Sequence, residues 1–193
     1  MNSQIVKKKY IIKIPKSIFL CYLEQNRILF LKGPLGHRII NLKLKLKTNE
    51  KKGFMFVTDQ FFYNVSINDK KNLKAYQGTY TSLIKKKIFE LLKPNFKKLK
   101  LVGVGYKVLL EKKNSLTLLK LSLGFSHDIY FKVPNDIQII CYKNNKLIIL
   151  GNNFKKVSLI ASIIRSYKIP EVYKGKGILY ENEQIKLKEG KKV

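Results

Sequence analysis

Several short stretches of this chain hold residue types that do chemistry elsewhere. "GVGYKV" at 103–108 has two glycines of a dinucleotide fingerprint but lacks the third, and strand-type residues follow where a helix is needed. "GKGILY" at 175–180 is not a P-loop, which needs two glycines bracketing four residues and then Lys-Ser/Thr opening a helix. Ser126, His127 and Asp128 are consecutive, and neighbours on a strand point to opposite faces, so no relay forms and His127 is expected in a turn or at a strand edge. Glu181 and Glu183 share a face if 178–187 is a strand, and lie near enough to Lys186 and Lys188 to be plain surface charge. Cys21 and Cys141 make neither a CxxC pair nor a metal spacing and are expected to be buried, reduced thiols. This material offers no convergent acid–base or metal cluster, so the chain reads as a non-enzyme with no cofactor and no small-molecule substrate.

What remains is lysine mixed with aromatics and glycine. The chain carries 40 Lys+Arg against 12 Asp+Glu, a formal net charge of +28. Solubility alone asks for about 2–8 in a small domain. Lysines paired with phosphates release counterions and give large, salt-dependent affinity, so the expected partner is nucleic acid. A membrane surface is the weaker reading, because it usually takes one basic amphipathic helix and these lysines are spread along the chain. No apolar run approaches the ~18 residues of a spanning helix. At the C-terminal end Gly175 and Gly177 allow close backbone approach, and Lys174 and Lys176 alternate with them to carry charge to phosphates. Tyr173 suits stacking on a base or sugar and suits equally the plugging of a core. Ile178, Tyr180 and Ile185 are expected to return the chain to a sheet as a final strand, leaving "KEGKKV" as a basic tail.

These groups need a scaffold, and an internal repeat supplies its outline. Residues 13–31 align without a gap on 132–150: Lys13 meets Lys132, Pro15 meets Pro134, Ile18 meets Ile137, Asn26 meets Asn145 and Leu31 meets Leu150. Gly33 and Gly151 follow the two copies. Each copy reads as a hairpin, with strands over 18–23 and 28–32 and over 137–142 and 146–150. A helix follows each. The first spans roughly 80–92, with Tyr80, Ile84, Ile88 and Leu91 as its stripe, Thr79 or Thr81 as N-cap and Pro94 as its stop. The second spans roughly 153–167, with Val157, Ile160, Ala161 and Ile164 inward and Asn152 or Asn153 as cap. "IINLKLKLK" at 39–47 alternates as one half-buried strand, and "GFMFVTD", "FFYNVSI", "LKLVGVGYKVLLEKK" and "LTLLKLSLGF" add more. The fold class is therefore α+β: two duplicated small domains, 1–95 and 96–193, each an antiparallel sheet packed with one helix.

"LVGVGYKVLL", "LGFSHDIYFKVP" and "RSYKIPEVYKGKGILYENEQIKLKEGKK" resemble the sixth protein of the large ribosomal subunit, the universal L-six family in its bacterial or organellar type. "LKGPLG" at 31–36 and "AYQGTYTSLI" at 75–84 are similar to its N-terminal signatures. The resemblance implies two α/β domains related by duplication and a structural role on large-subunit rRNA. It further implies a place near the stalk base and sarcin–ricin loop, beside neighbouring ribosomal proteins and docking translational GTPases. It puts Lys174, Gly175, Lys176, Gly177, Lys188, Lys191 and Lys192 on rRNA. Lys155, Lys156, Arg165, Lys168 and Tyr173 join them as candidate contacts, and the Gly33–Gly36 segment is expected close to RNA or a neighbour. Leu35 stands for a usual lysine, Val172 for a usual proline, and 41–74 match poorly. The alternative is a free-standing RNA-binding or RNA-remodelling factor. An N-terminus without a signal or transit pattern, and a residue usage suited to A- and T-rich codons, point to an organelle-encoded protein of the mitochondrial ribosome, with plastid or AT-rich bacterium as alternatives.

Overall fold

The computed structural model describes residues 10–49, 53–64, 66–113 and 116–190. The chain divides into two compact units, Met1–Lys93 and Pro94–Val193. In the first unit, β1 (Ile11–Lys13), β2 (Phe19–Leu23), β3 (Ile28–Gly33), β4 (Gly36–Asn41), β5 (Leu44–Asn49) and β6 (Phe54–Phe61) precede α1 (Ile67–Lys71) and α2 (Leu73–Leu92). In the second, β7 (Asn95–Val102), β8 (Lys107–Lys113), β9 (Leu116–Ser122), β10 (Ile129–Lys132), β11 (Ile137–Tyr142) and β12 (Lys146–Gly151) precede α3 (Phe154–Ser166) and β13 (Gly177–Tyr180). The class is α+β and every strand pair is antiparallel.

Each unit holds two small sheets rather than one. The orders are β1-β6-β5 and β2-β3-β4 in the first, β10-β9-β8 and β11-β12-β7-β13 in the second. The expected single strand over 39–47 is the reason in the first unit. It breaks at Leu42–Lys43, where Leu42 N–H donates to Arg27 O at 2.8 Å and Lys43 O accepts from Phe62 N at 3.2 Å. The alternation survives the break, and Leu42, Leu44 and Leu46 are all buried. "FFYNVSI" is not a strand beyond Phe61. The chain bends, and Ser66 caps α1 by accepting from Asp69 N at 3.3 Å.

α2 starts at Leu73, seven residues before the expected Tyr80. Its inward face includes Gln77 and Thr81, which hide the apolar stripe; Ile84, Ile88 and Leu91 continue it in the core. Thr79 and Thr81 are not caps. Their hydroxyls donate back to the carbonyls of Ala75 and Gln77 inside the helix. Pro94 does end it, by forcing Lys93 extended at φ −137° and ψ 140°. α3 follows its expectation: Asn153 caps it through Lys155 N at 3.0 Å, and Val157, Ile160, Ala161 and Ile164 are buried.

The repeat is real as a pair of hairpins but carries a one-residue offset. In the first, Leu23 pairs with Ile28 across a turn over 24–27; in the second, Tyr142 pairs with Lys146 across a turn over 143–145. The gapless alignment therefore fails after the turn, because a slip of one residue sends every side chain to the other face. The equivalent buried pairs are Leu29 with Leu147 and Leu31 with Ile149, not Leu31 with Leu150. This register matches Gly33 to Gly151, each under a helix. A Cβ on Gly33 would lie 2.8 Å from Leu91 Cβ, and one on Gly151 would lie 2.6 Å from Ile137 Cδ1 and 2.9 Å from Val157 Cγ2.

Gly33→Ala and Gly151→Ala are each expected to lower stability by about 1–3 kcal/mol. Gly33→Ala should be the worse, since Leu91 Cβ and O are fixed by the α2 backbone, whereas Ile137 Cδ1 and Val157 Cγ2 are side-chain ends that can shift. Urea unfolding of both variants checks the order.

Candidate nucleic-acid interface

α3 delivers the chain into a loop that bonds to itself. Ile178 N–H donates to Lys168 O at 2.9 Å, Glu171 N–H to Lys176 O at 2.9 Å, and Gly175 N–H to Glu171 O at 3.0 Å. These bonds close residues 168–178 and push Val172, Tyr173 and Lys174 outward, with Tyr173 55% exposed. Tyr173 is therefore no core plug. Gly175 turns the chain at φ +69°. Gly177 is buried at φ +151°, and a Cβ there would lie 2.5 Å from Pro170 Cα and 2.7 Å from Pro170 N. The backbone it admits is thus the protein's own. Lys176 is half-buried and Lys174 exposed.

The expected strand over 178–187 stops at Tyr180. Glu183 N–H donates to Tyr180 O at 3.0 Å and the Glu183 carboxylate accepts from Tyr180 N at 3.1 Å, which turns the chain off the sheet. The segment then runs along the loop, where Lys188 N–H donates to Val172 O at 3.0 Å. This bond holds the turn at Val172, where the resemblance has a usual proline. Lys188 is thereby brought beside the exposed tip.

Glu181 and Glu183 do not pair with Lys186 and Lys188. Glu181 meets Lys98 at 3.1 Å, and Glu183 receives Arg165 Nη2 at 2.7 Å and Nε at 3.3 Å. The Arg165 hydrogen bonds hold the Glu183 carboxyl below the usual glutamate range. Arg165 also lies 5.7 Å over the Tyr180 ring. Its charge is engaged inside the unit. Sequence reasoning could not see this, because the partner lies 18 residues on.

The other candidates separate. Lys168 sits with the loop, its Nζ 4.3 Å over the Phe125 ring, and Phe125 stacks on His127 at 6.1 Å. Phe125 and His127 escape a reading by sequence, where the only signal is an aromatic two residues from a histidine in a glycine turn. Lys155 and Lys156 lie at the opposite end of α3, about 20 Å of helix away. Lys156 pairs with Asp136 and lowers its carboxyl. Lys191 and Lys192 lie outside the described residues. The Gly33–Gly36 turn is tied to α2 by Leu35 N–H donating to Leu91 O at 3.3 Å, and Glu90, fully buried, takes Lys87 at 2.9 Å and Arg38 at 3.4 Å.

No relay forms at 126–128. Asp128 accepts from Ser122 Oγ at 2.6 Å and pairs with Lys120 at 3.2 Å, and both keep its carboxyl low. His37 stacks on Phe30 at 5.9 Å on β4. Cys21 and Cys141 are half-buried rather than buried, and desolvation raises the Cys141 thiol. Among the described residues no three His, Cys, Asp or Glu side chains converge as metal ligands, and no helix is long and apolar enough to cross a membrane.

The model of the family described as Ribosomal protein L6 matches residues 102–181. The chain is 39% identical to "Large ribosomal subunit protein uL6m" of Reclinomonas americana, covering 94% of this chain and 95% of that one. It is 36% identical to the uL6m protein of Prototheca wickerhamii, over 94% and 95%, and 35% identical to the uL6 protein of Rhodospirillum rubrum, over 95% and 97%.

Gly177→Ala is expected to lower stability by at least about 2 kcal/mol, because both its φ and the Pro170 backbone resist a Cβ. Thermal unfolding checks this, with Gly190→Ala as control because nothing stands within 4 Å of its Cβ position. The Glu183 pair sets an acid limit. A carboxyl whose folded pKa is depressed adds stability above its unfolded value, about 4.3, and loses it as pH falls through the lower folded value. Glu183→Gln should remove that component and cost about 1–2 kcal/mol at neutral pH. Its stability curve should converge on the parent's as both are acidified, which denaturation at stepped pH measures.

Proposed function

We infer the role of this chain from one premise: it belongs to the ribosomal protein L6 family, and is a structural protein of the large ribosomal subunit rather than an enzyme. Its closing loop is the grip on large-subunit rRNA. The observation that carries this is the self-bonded 168–178 loop, which holds Lys174 and Tyr173 outward on a fixed backbone with Lys188 beside them. A loop already ordered gives up little entropy on binding. Lysine suits phosphate as a mobile point charge, and duplex RNA is read mainly through shape and backbone. Lys168, Lys176 and Gly175 complete this face, with Phe125 and His127 at its side. Gly177 supports it from below. Arg165 serves by bracing Glu183, and Lys155 and Lys156 would meet RNA only at a second point along α3.

In keeping with the resemblance, the grip lies near the stalk base and sarcin–ricin loop, where the protein helps fix rRNA beneath docking translational GTPases. The uL6m relatives favour a mitochondrial ribosome, and the residue usage suited to A- and T-rich codons favours encoding in the organelle. The basic tail, including Lys191 and Lys192, extends the grip.

Lys174→Glu with Lys176→Glu should weaken binding to a stalk-base rRNA fragment about 10- to 100-fold and flatten its salt dependence, by about 0.7–0.9 in logarithmic slope for each phosphate no longer neutralised. Melting temperature should barely move, since Lys174 is exposed and Lys176 half-buried. Filter binding at several salt concentrations tests this, and unchanged affinity would refute the assigned grip.

A further inference from the structure

The four-stranded sheet of the second unit has a face that the loop does not use. Leu99, Leu101, Leu147, Ile149 and Ile178 point into the core. Successive residues alternate across a sheet, so Phe96, Lys98 and Lys100 on β7, and Lys146 and Ile148 on β12, point away from it. The register lines them up. Tyr142 stands opposite Lys146, and Lys146 opposite Lys100; one row on, Ile140 stands opposite Ile148, and Ile148 opposite Lys98. Phe96 and Tyr142 are each 58% exposed. A groove of about 430 Å³ runs over this face, lined by Lys98, Lys100, Tyr142, Lys146 and Ile148, with Glu181 as its one carboxylate.

Two features point to an anionic, aromatic ligand. First, Lys100 and Lys146 are directly opposed on neighbouring strands, where like charges destabilise a sheet. Neither lies within ion-pair distance of a carboxylate among the described residues; Glu181 is engaged with Lys98 and Glu183 with Arg165, and Lys100 acts on Glu183 only at longer range. Lys143, in the turn, adds its charge 5.8 Å over the Tyr142 ring. Second, the duplicated hairpin does not require this chemistry. In the structural register β2 and β3 carry Leu23 and Ile28 where β11 and β12 carry Tyr142 and Lys146. The first copy has rings and a cation of its own on its outward face, Phe19, Phe30 and Lys32, but neither a ring nor a cation at the two positions of Tyr142 and Lys146.

We propose that this sheet face is a second RNA site that takes an unpaired stretch, with bases stacked on Phe96 and Tyr142 and phosphates held by Lys100 and Lys146. A duplex hides its bases, whereas single strands present them to aromatic side chains. A neutral or basic protein surface is the poorer occupant, because it would have to desolvate the opposed lysines with no opposite charge to meet them. The site rests on the reading of the chain as an rRNA-binding protein, but it uses none of the loop residues.

The test uses the full chain, a fluorescein-labelled oligouridylate of about 12 nucleotides and a blunt RNA duplex, read by anisotropy. Phe96→Leu with Tyr142→Leu should weaken oligouridylate binding at least about 10-fold, and Lys100→Gln with Lys146→Gln should lower its salt slope by about 1.4. Both should leave duplex affinity within about twofold. Lys174→Glu with Lys176→Glu should do the reverse, so loss of the sheet site and loss of the loop grip are told apart. Unchanged oligouridylate affinity after the aromatic replacement overturns the proposal, leaving a merely charged surface. Ultraviolet cross-linking of the unaltered protein in assembled subunits needs no variant to fold. A Tyr142 peptide carrying nucleotide supports the site, and one joined to another protein overturns it.

Discussion

A sheet gives each side chain one of two faces, and that constraint is what lets a chain this basic fold. On β5 Leu44 and Leu46 go inward while Lys45 and Lys47 stay wet; on β7 Leu99 and Leu101 go inward between Lys98 and Lys100. The lysines occupy positions the core cannot use. Register is then the property the fold has to defend, since a slip of one residue would bury a row of ammonium groups. The two hairpins defend it with turns of different length and with Arg27 and Lys143 at φ 56° and 54°, rare for residues with a side chain. Gly33 and Gly151 fix the same register from the other end, because only a position without a Cβ fits beneath the helix.

With so few carboxylates, where each one lies matters more than its contact energy. Glu183 joins the end of α3 to the turn after β13, Asp136 joins the entry of β11 to the start of α3, and Glu90 joins α2 to β4. An exposed pair such as Asp136 with Lys156 contributes little stability, whereas Glu90 is fully buried between Lys87 and Arg38. Arg165 and Glu183 differ, being half-buried and bidentate, and their union sends the tail back along the loop. The carboxylates therefore organise the edges of the two units, and the lysines they leave over dominate the surface potential.

What could be read from residue order was whatever depended on near neighbours. The cap and stripe of α3 were legible because Asn153, Val157, Ile160, Ala161 and Ile164 lie within one helix. The hairpins were legible because proline, strand, turn and strand recur in order. The start of α2 was not, since Gln77 and Thr81 face inward where the pattern asks for apolar residues, and Gln77 is satisfied only by reaching Val57 O at 3.5 Å. The end of the last strand was also hidden. Ile185 and Leu187 look like its continuation, yet Lys188 bonds to Val172 instead of to a strand. In the candidate site, the exposure of Lys174 could be anticipated from composition, whereas Tyr173 suited a core equally well and only the folded loop shows it outward. The engagement of Arg165 and the real neighbour of Gly177 could not, because both depend on residues brought together only by folding.

The same distinction explains why the two positive faces of the second unit differ in kind. A loop can present a lysine at any angle, so the 168–178 segment gains its order from backbone bonds and from a glycine seated on Pro170. A sheet face has its spacing set by the ladder, with neighbouring strands about 4.8 Å apart, and its side chains stand in rows whether or not they attract one another. Lys100 beside Lys146 is tolerated there because the leucines behind them, Leu99, Leu101 and Leu147, dictate the register. The pairing of the two lysines is imposed by the core, and an anion laid across the row meets both charges. A flexible lysine tail would simply spread its charges apart. Holding them together takes a packed sheet, which is a physical reason for a protein that binds a polyanion to be folded at all.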